Sequence, residues 1–318
     1  MRPGAMTGAM TGATTGASGG VRWPARLRLQ AQRESAAGAG TDATRVFSTH
    51  EGPLRLLKTL HPEGAGIAHA VLVHPPGGLV GGDRLDIEIN VATGAHLLVT
   101  TPGASRYYRS TAGEAVQAVQ ARVAAGARLE WLPQETLAYD GCQGRNEWCV
   151  RLAAGASLMA MEMLALGLGE SQRPFASGRF VQQFEIELGG QAEGDEAGET
   201  VDGASLWRER GVIAAADHAL LEGPCGLAGH RVLGTLLLAE STGIDARIAE
   251  AALDAARAEI ALGPSLLAGA TLLHQRLLLL RVLAHETEPA MRLLRRVRGL
   301  WRHLGWGLEA NEPRIWAS

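Results

Sequence analysis

Chemistry is most concentrated in His74-Pro75-Pro76-Gly77-Gly78-Leu79-Val80-Gly81-Gly82-Asp83, where an imidazole and a carboxylate bracket four glycines. Glycine supplies positive-φ backbone and allows close approach, so this is a shaped turn rather than a packing segment. It is not a phosphate loop, which needs Gly-Lys-Ser/Thr at its end and a helix behind it; here Asp83 closes the motif and would repel phosphate. Two readings of Asp83 stand open: its carboxylate accepts hydrogen bonds from turn amides, or it meets a cation. A second dense block, Thr101-Pro102-Gly103-Ala104-Ser105-Arg106-Tyr107-Tyr108-Arg109-Ser110, follows closely, so the two are expected on one surface. Glu130, Glu135 and Asp140 fall at or near predicted strand ends close to these blocks, where a hard or borderline divalent cation would find oxygen ligands. Weak and incomplete ligation of that kind suits a metal in transit, with Asp83, Glu130, Glu135 and His74 as the candidate contacts. Each is equally readable as a surface or hydrogen-bonding residue, Glu130 next to Trp131 in a strand especially.

Other chemistries are poorly supported. Ser105 lies between Ala104 and Arg106 and lacks the glycines of a nucleophile elbow. His50, His61, His69, His74 and His96 are scattered, with no His-Glu-x-x-His, and read as structural histidines; His74 differs in adjoining the glycine turn. Cys142, Cys149 and Cys225 form no paired disulfide framework and no Cys-x-x-Cys clip, which suits free thiols in a reducing compartment.

The elements that must position these residues are short strands. Leu27, Leu29 and Ala31 alternate with Arg26, Arg28 and Gln30, so the folded part is expected to begin near Trp23. Strand-like runs recur at 67–73, 85–91, 96–101, 116–123, 129–132, 148–152 and 158–166, with turn residues between nearly every pair. An internal echo links them: Val91-Ala92-Thr93-Gly94-Ala95-His96-Leu97, Val123-Ala124-Ala125-Gly126-Ala127-Arg128-Leu129 and Leu152-Ala153-Ala154-Gly155-Ala156-Ser157-Leu158. Copies about 30 residues apart, each strand, Gly-Ala turn and strand, suit a repeated stacking unit. The expected fold is mostly β, a layered or β-helix-like stack of short strands with a few C-terminal helices, and not a Rossmann sheet, since the crossover helices are missing.

Helices are expected late. Residues 245–262 are alanine-rich, start at Asp245 and stop at Gly263-Pro264. Residues 277–283 read as a buried strand. Residues 288–304 carry Leu293, Leu294, Val297, Leu300, Trp301 and Leu304 at helical spacing, with Arg292, Arg295, Arg296, Arg298 and Arg302 on a face expected to be solvated or to dock a partner.

Residues 1–20 repeat Ala, Met, Thr and Gly without an apolar run and are expected to form a disordered low-complexity extension; residues 21–318 are expected to form a single β domain. The glycine-rich acidic stretch 189–203 reads as a solvated loop between strands at 180–188 and 205–209. Hydrophobic residues at 46% and charged residues at 20% suit an ordinary globular protein. No stretch reaches the roughly 18 to 20 apolar residues of a membrane span, so a cytoplasmic protein with no membrane partner is expected. A net charge of −3 gives no reason to expect nucleic acid.

The blocks together resemble the urease accessory protein D family, called H in some organisms. The resemblance runs through Gly52-Pro53-Leu54-Arg55, Pro62-Glu63-Gly64, the His74 to Asp83 turn, Thr101-Pro102-Gly103-Ala104 and Tyr108-Arg109-Ser110. It continues through Leu129-Glu130-Trp131-Leu132-Pro133-Gln134-Glu135, Phe175, Gly178 and the terminal Pro313-Arg314-Ile315-Trp316. The family commonly reads Leu-Gly-Arg-Pro and then Gly-Glu, where this chain has Leu166-Gly167-Leu168-Gly169 and Gln172-Arg173; Arg106-Tyr107 replaces the usual Lys-Phe. The resemblance implies a non-enzymatic urease maturation factor that works with accessory proteins F and G, the latter a GTPase, and with apo-urease. It implies no permanently bound cofactor, transient passage of nickel through an internal tunnel, and Asp83 as a candidate lining residue. The competing expectations are a purely structural adaptor of the accessory complex and a metal-dependent hydrolase built on the Asp83 and Glu130 neighbourhood, though the latter lacks the usual set of about three protein ligands.

Overall fold

The computed structural model describes residues 14–15, 21–22, 24–34, 42–168, 173–189, 203–263 and 266–317. The expected extension at 1–20 and the middle of the acidic loop lie outside the described residues, as does Trp23, apart from two-residue strands β1 (Thr14–Thr15) and β2 (Val21–Arg22) that pair with each other.

Hairpins open the fold: β3 (Pro24–Glu34) with β4 (Ala43–Glu51), and β5 (Arg55–Leu60) with β6 (Ile67–Val73). Three successive coils follow. In the first, β7 (Arg84–Val91) turns into β8 (His96–Thr100) and a short β9 (Ser105–Tyr107); in the second, β10 (Ala115–Val123) turns into β11 (Arg128–Leu132) and β12 (Thr136–Ala138). In the third, β13 (Gln143–Leu152) turns into β14 (Ser157–Leu166). The chain ends with the antiparallel pair β15 (Arg179–Leu188) and β16 (Ala204–Ala214), the one-turn helix α1 (His218–Glu222), β17 (Val232–Glu240), α2 (Ala246–Ala261), the hairpin β18 (Leu267–His274) and β19 (Leu277–Ala284), and α3 (Thr287–Trp306).

The first strands of the coils lie in a seven-stranded sheet ordered β16-β15-β13-β10-β7-β3-β4, and the second strands in a ten-stranded sheet whose main path is β18-β19-β17-β14-β11-β8-β6-β5. Within each sheet, equivalent strands of successive coils pair in parallel, the arrangement of a β-helix. The internal echo is the corner of each coil. Gly94, Gly126 and Gly155 take φ of 67°, 65° and 74°, conformations that glycine adopts without steric cost, and Ala95, Ala127 and Ala156 behind them are buried. Corners stack through backbone hydrogen bonds, Ala124 N–H to the Val91 carbonyl and Ala153 N–H to the Val123 carbonyl, each at 2.9 Å.

Two apolar cores result. One fills the space between the sheets; the other lies between the ten-stranded sheet and helices α2 and α3. Strand β14 is buried along its whole length because it contributes to both: Leu158, Ala160 and Leu164 face the opposite sheet, while Met159, Met161 and Met163 face the helices. The expected helix 245–262 is α2, with Asp245 as its N-cap accepting from the Arg247 and Ile248 amides. Residues 277–283 form strand β19.

Helix α3 departs from expectation on its charged face. It carries Glu288 in its first turn and ends at left-handed Gly307. Arg292 and Arg296 are exposed, but Arg298 and Arg302 are 1% and 0% exposed rather than solvated. Both reach Glu130: Arg298 Nη2 donates to Oε2 at 2.6 Å and Arg302 Nε to Oε1 at 3.0 Å, while His96 Nε2 lies 2.9 Å from Oε1. Arg302 also pairs with Glu63, whose other contacts include His69 Nε2 at 2.7 Å and Asn311. The helical period placed these arginines opposite the leucine stripe; a buried acid supplied by the sheet draws them inward. Burial alone would raise the Glu63 carboxyl, but hydrogen bonds from His69 and Arg302 and the Arg302 charge override it and hold it at about 2. Glu130 is likewise held well below the ordinary carboxylate range, burial being outweighed by the Arg298 charge and the His96 and Arg302 contacts.

Removing one side of this network strands the other. Glu130→Ala leaves two buried guanidinium groups short of a counter-charge and lowers unfolding free energy by roughly 3–5 kcal/mol, read by urea unfolding. Because the folded-state carboxyls titrate below their unfolded value, their contribution is complete above about pH 4.5 and is lost as pH falls from 4.5 towards 2, so stability measured across that window drops more steeply in the native chain than in Glu63→Gln.

Candidate functional site

The His74 to Asp83 turn uses its four glycines for two reasons. Gly77 and Gly82 have φ of 78° and 89°, which side-chain-bearing residues adopt only with strain. At Gly78 a Cβ would run into the Tyr108 ring, and at Gly81 into Ser110 Oγ and the Gly113 carbonyl. The two dense blocks are therefore one surface, as expected: Leu79 N–H donates to the Arg106 carbonyl at 2.7 Å and Tyr108 N–H to the Leu79 carbonyl at 2.9 Å. Asp83 is 7% exposed and accepts the Val80 amide on Oδ2 at 2.9 Å, so it does bind the turn. Its charge also acts on His74, whose imidazole pKa is lowered by burial and partly restored by Asp83.

Beneath this rim a cavity of about 290 Å³ runs into the space between the sheets. His74, Pro75, Gly77, Gly78, Thr101, Pro102 and Arg106 line its outer part; Gln117, Trp131, Pro133, Thr136 and Glu162 line the remainder. Glu162 is 5% exposed, in the middle of a ten-residue buried strand, and accepts Trp131 Nε1 at 2.8 Å and Asn146 Nδ2 at 3.1 Å. Burial raises its carboxyl to about 7 against the lowering effect of those hydrogen bonds. A second cavity of about 360 Å³ is lined by the same Glu162 together with Gln182, Glu209, Thr235 and Arg281.

Two facing polar rows cross the strands at this level. On the seven-stranded sheet Gln117, Asn146 and Gln182 are register neighbours on β10, β13 and β15; on the ten-stranded sheet Glu162, Thr235 and Arg281 are register neighbours on β14, β17 and β19. By the two-residue period of each strand all six share the faces that carry the inter-sheet core. They make a polar track through a layer that is otherwise apolar, and Gln117 Nε2 donates to Asn146 Oδ1 at 3.3 Å along it.

The candidate contacts nominated from sequence are not gathered in one place. His74 and Asp83 sit together at the rim, His74 lining the cavity and Asp83 holding the turn. Glu130 alternates with Trp131, so it faces the helices while Trp131 faces the cavity, and it is engaged by Arg298, Arg302 and His96. Glu135 lines a surface hollow with Gln134, Arg292 and Arg295. Asp140 accepts from the Ser177 amide and hydroxyl and pairs with Arg109, which hold its carboxyl below the usual range. The Tyr108 ring lies against Tyr139, with centroids 5.1 Å apart and the planes tilted by 34°. Thr101 Oγ1 donates to the Gly103 carbonyl and accepts the Gln134 amide, fixing the second block to the next coil.

Sequence reasoning passed over Glu162 and Glu209. For Glu162 a signal existed: one acid in the otherwise almost wholly apolar run Ser157–Leu166 must be buried and must therefore have partners. The structure also brings Cys149, Glu185 and Glu187 within 4.8 Å of one another on the outer face of the seven-stranded sheet, but Arg208 and Arg151 pair with the two carboxylates and burial pushes the thiol up to about 11.

A family model described as UreD urease accessory protein matches residues 24–317. The urease accessory protein UreD of Paracidovorax citrulli (strain AAC00-1) is 50% identical over 298 residues, covering 93% of this chain and 99% of that protein. The protein of the same name from Verminephrobacter eiseniae (strain EF01-2) is 47% identical over 296 residues, with 93% and 99% covered, and that from Leptothrix cholodnii (strain ATCC 51168 / LMG 8142 / SP-6) is 43% identical over 299 residues with the same coverage. With a match over nearly its whole length and relatives of this identity, the chain belongs to the UreD urease accessory protein family.

Proposed function

We propose that this protein serves urease maturation as a conduit for nickel, working with accessory proteins F and G and apo-urease, and that the ion travels between the two sheets past Glu162. The observation that carries the proposal is the shared wall: one buried carboxylate faces both cavities, and the polar rows continue on either side of it. Family membership supports the cargo, since nickel is what urease requires.

The chemistry of the track suits transit. Its donors are oxygens of Gln117, Thr136, Glu162, Gln182, Thr235 and Glu209, with His74 at the outer rim and no thiolate among the lining residues described. Such donors hold a borderline divalent ion less tightly than a cluster of imidazoles and thiolates would. Glu162, at about 7, is near balance between its neutral and ionised forms at neutral pH. An arriving cation favours the ionised form and displaces the proton; when the cation leaves, the carboxyl regains it and no bare charge remains buried. Trp131 and Asn146 keep the carboxylate in place during both steps. Asp83 contributes at the rim by fixing the turn and by placing negative charge beside His74.

Glu162→Gln keeps the shape and removes the charge. In co-purification with F, G and apo-urease followed by nickel analysis, the variant assembles normally but loads urease with several-fold less nickel; full loading would sink the conduit. Asp83→Ala, which removes both cap and charge, lowers loading as well. A stability measurement checks the burial argument independently. The Glu162 carboxyl titrates higher folded than unfolded, so its ionisation opposes folding as pH rises through 4.5 to 7; Glu162→Gln is therefore more stable than the native chain at pH above 7, by up to about 3 kcal/mol, and equal to it below 4.5.

A further inference from the structure

We infer that Arg281 and Glu209 form a latch over the second mouth of this track, with Arg281 occupying the carboxylate that an ion beyond Glu162 would next meet. The inference rests on the conduit reading and names its control point. Glu209 lies on β16, the edge strand of the seven-stranded sheet, and Arg281 on β19 of the ten-stranded sheet, so their ion pair spans the gap between the layers. The guanidinium donates to both carboxylate oxygens, Nη1 to Oε1 at 2.9 Å and Nη2 to Oε2. Both side chains line the second cavity, whose other carboxylate is Glu162.

Three features make this a closure that opens rather than a permanent tie. The side chains are 48% and 27% exposed, so water competes for both and the pair is weak compared with the Glu130 network. The strand positions flanking Arg281 are Thr235 and Gly269, and a Cβ at Gly269 would meet nothing within 4 Å, which leaves the guanidinium room to swing. Arg281 is also the end of the Glu162-Thr235-Arg281 row, where a fixed positive charge opposes a cation along the track. A divalent ion reaching Glu209 competes with the guanidinium for the same two oxygens. Passage through this mouth therefore requires Arg281 to leave, and Glu209 to receive the ion.

The latch predicts opposite effects from the two ways of breaking one ion pair. In the reconstituted complex with F, G and apo-urease, Arg281→Gln removes the closure and keeps the acceptor, so nickel transfer quickens by about fivefold, the factor equivalent to the ~1 kcal/mol of an exposed pair. Glu209→Gln removes the acceptor, and transfer slows. Urea unfolding is followed in parallel. A tie that only braces the sheets would shift stability equally in both variants and change transfer in the same direction, and that outcome, or native rates in both, overturns the latch. Glu162→Gln separates this from the conduit itself: if that variant transfers nickel at the native rate, the conduit falls; if it fails while Arg281→Gln behaves as native, the latch alone falls.

Discussion

The distance between the two sheets is fixed by the coil corners, and the rest of the molecule follows from that separation. At Gly94, Gly126 and Gly155 the chain reverses from one sheet into the other through a left-handed residue, and the corner amides bond to the coil below. Parallel pairing of successive coils then repeats the same registers in both layers, so residues at equivalent heights on neighbouring strands are forced into rows across the strands. In most rows those residues are apolar and close the gap. In one pair of rows they are amides, a hydroxyl, a carboxylate and a guanidinium, and cavities remain on either side of Glu162.

A row of polar groups inside a core is costly unless its members satisfy one another. Trp131 and Asn146 do this for Glu162, and Gln117 does it for Asn146. The arrangement differs in kind from the ionic network beneath α3. There Glu130 and Glu63 meet full positive charges, their carboxyls are held low, and the result is a fixed attachment of helix to sheet. Glu162 meets neutral donors only, and its carboxyl is raised towards neutrality. Two buried acids on opposite faces of the same sheet are thus set apart by their partners, one held ionised against guanidinium groups and the other raised towards its neutral form among neutral donors.

The strand-turn-strand echo, the absence of crossover helices and the late helices were legible because they depend on local preferences: glycine at positive φ, alternation of apolar residues, capping by Asp245. The union of the two dense blocks into one surface was legible too, from their closeness in the chain. The buried arginines were not. Residues 298 and 302 occupy the polar side of a well-formed amphipathic pattern, and their partner Glu130 lies 168 and 172 positions earlier, so no local rule connects them. Glu130 is nominated for its place near a strand end close to the glycine-rich blocks, yet it alternates with Trp131, and neighbours in a strand point to opposite faces, so it faces the helices.

By itself, then, the sequence determined the coil: which residues turn, which extend, and which glycines have no substitute, since these are set by steric limits acting over a few residues. Only the tertiary structure decided what the carboxylates do. Along the chain His74, Asp83, Glu130 and Glu135 each read as a cation contact or as a surface or hydrogen-bonding residue and Glu162 goes unnoticed; the five differ once stacking assigns each a face and a set of partners. Asp83 holds a turn at the rim, Glu130 anchors a helix, and Glu162 alone stands where both cavities reach it. The physical reason is that burial and counter-charge, which fix a carboxylate's ionisation, come from strands and helices far away in the chain.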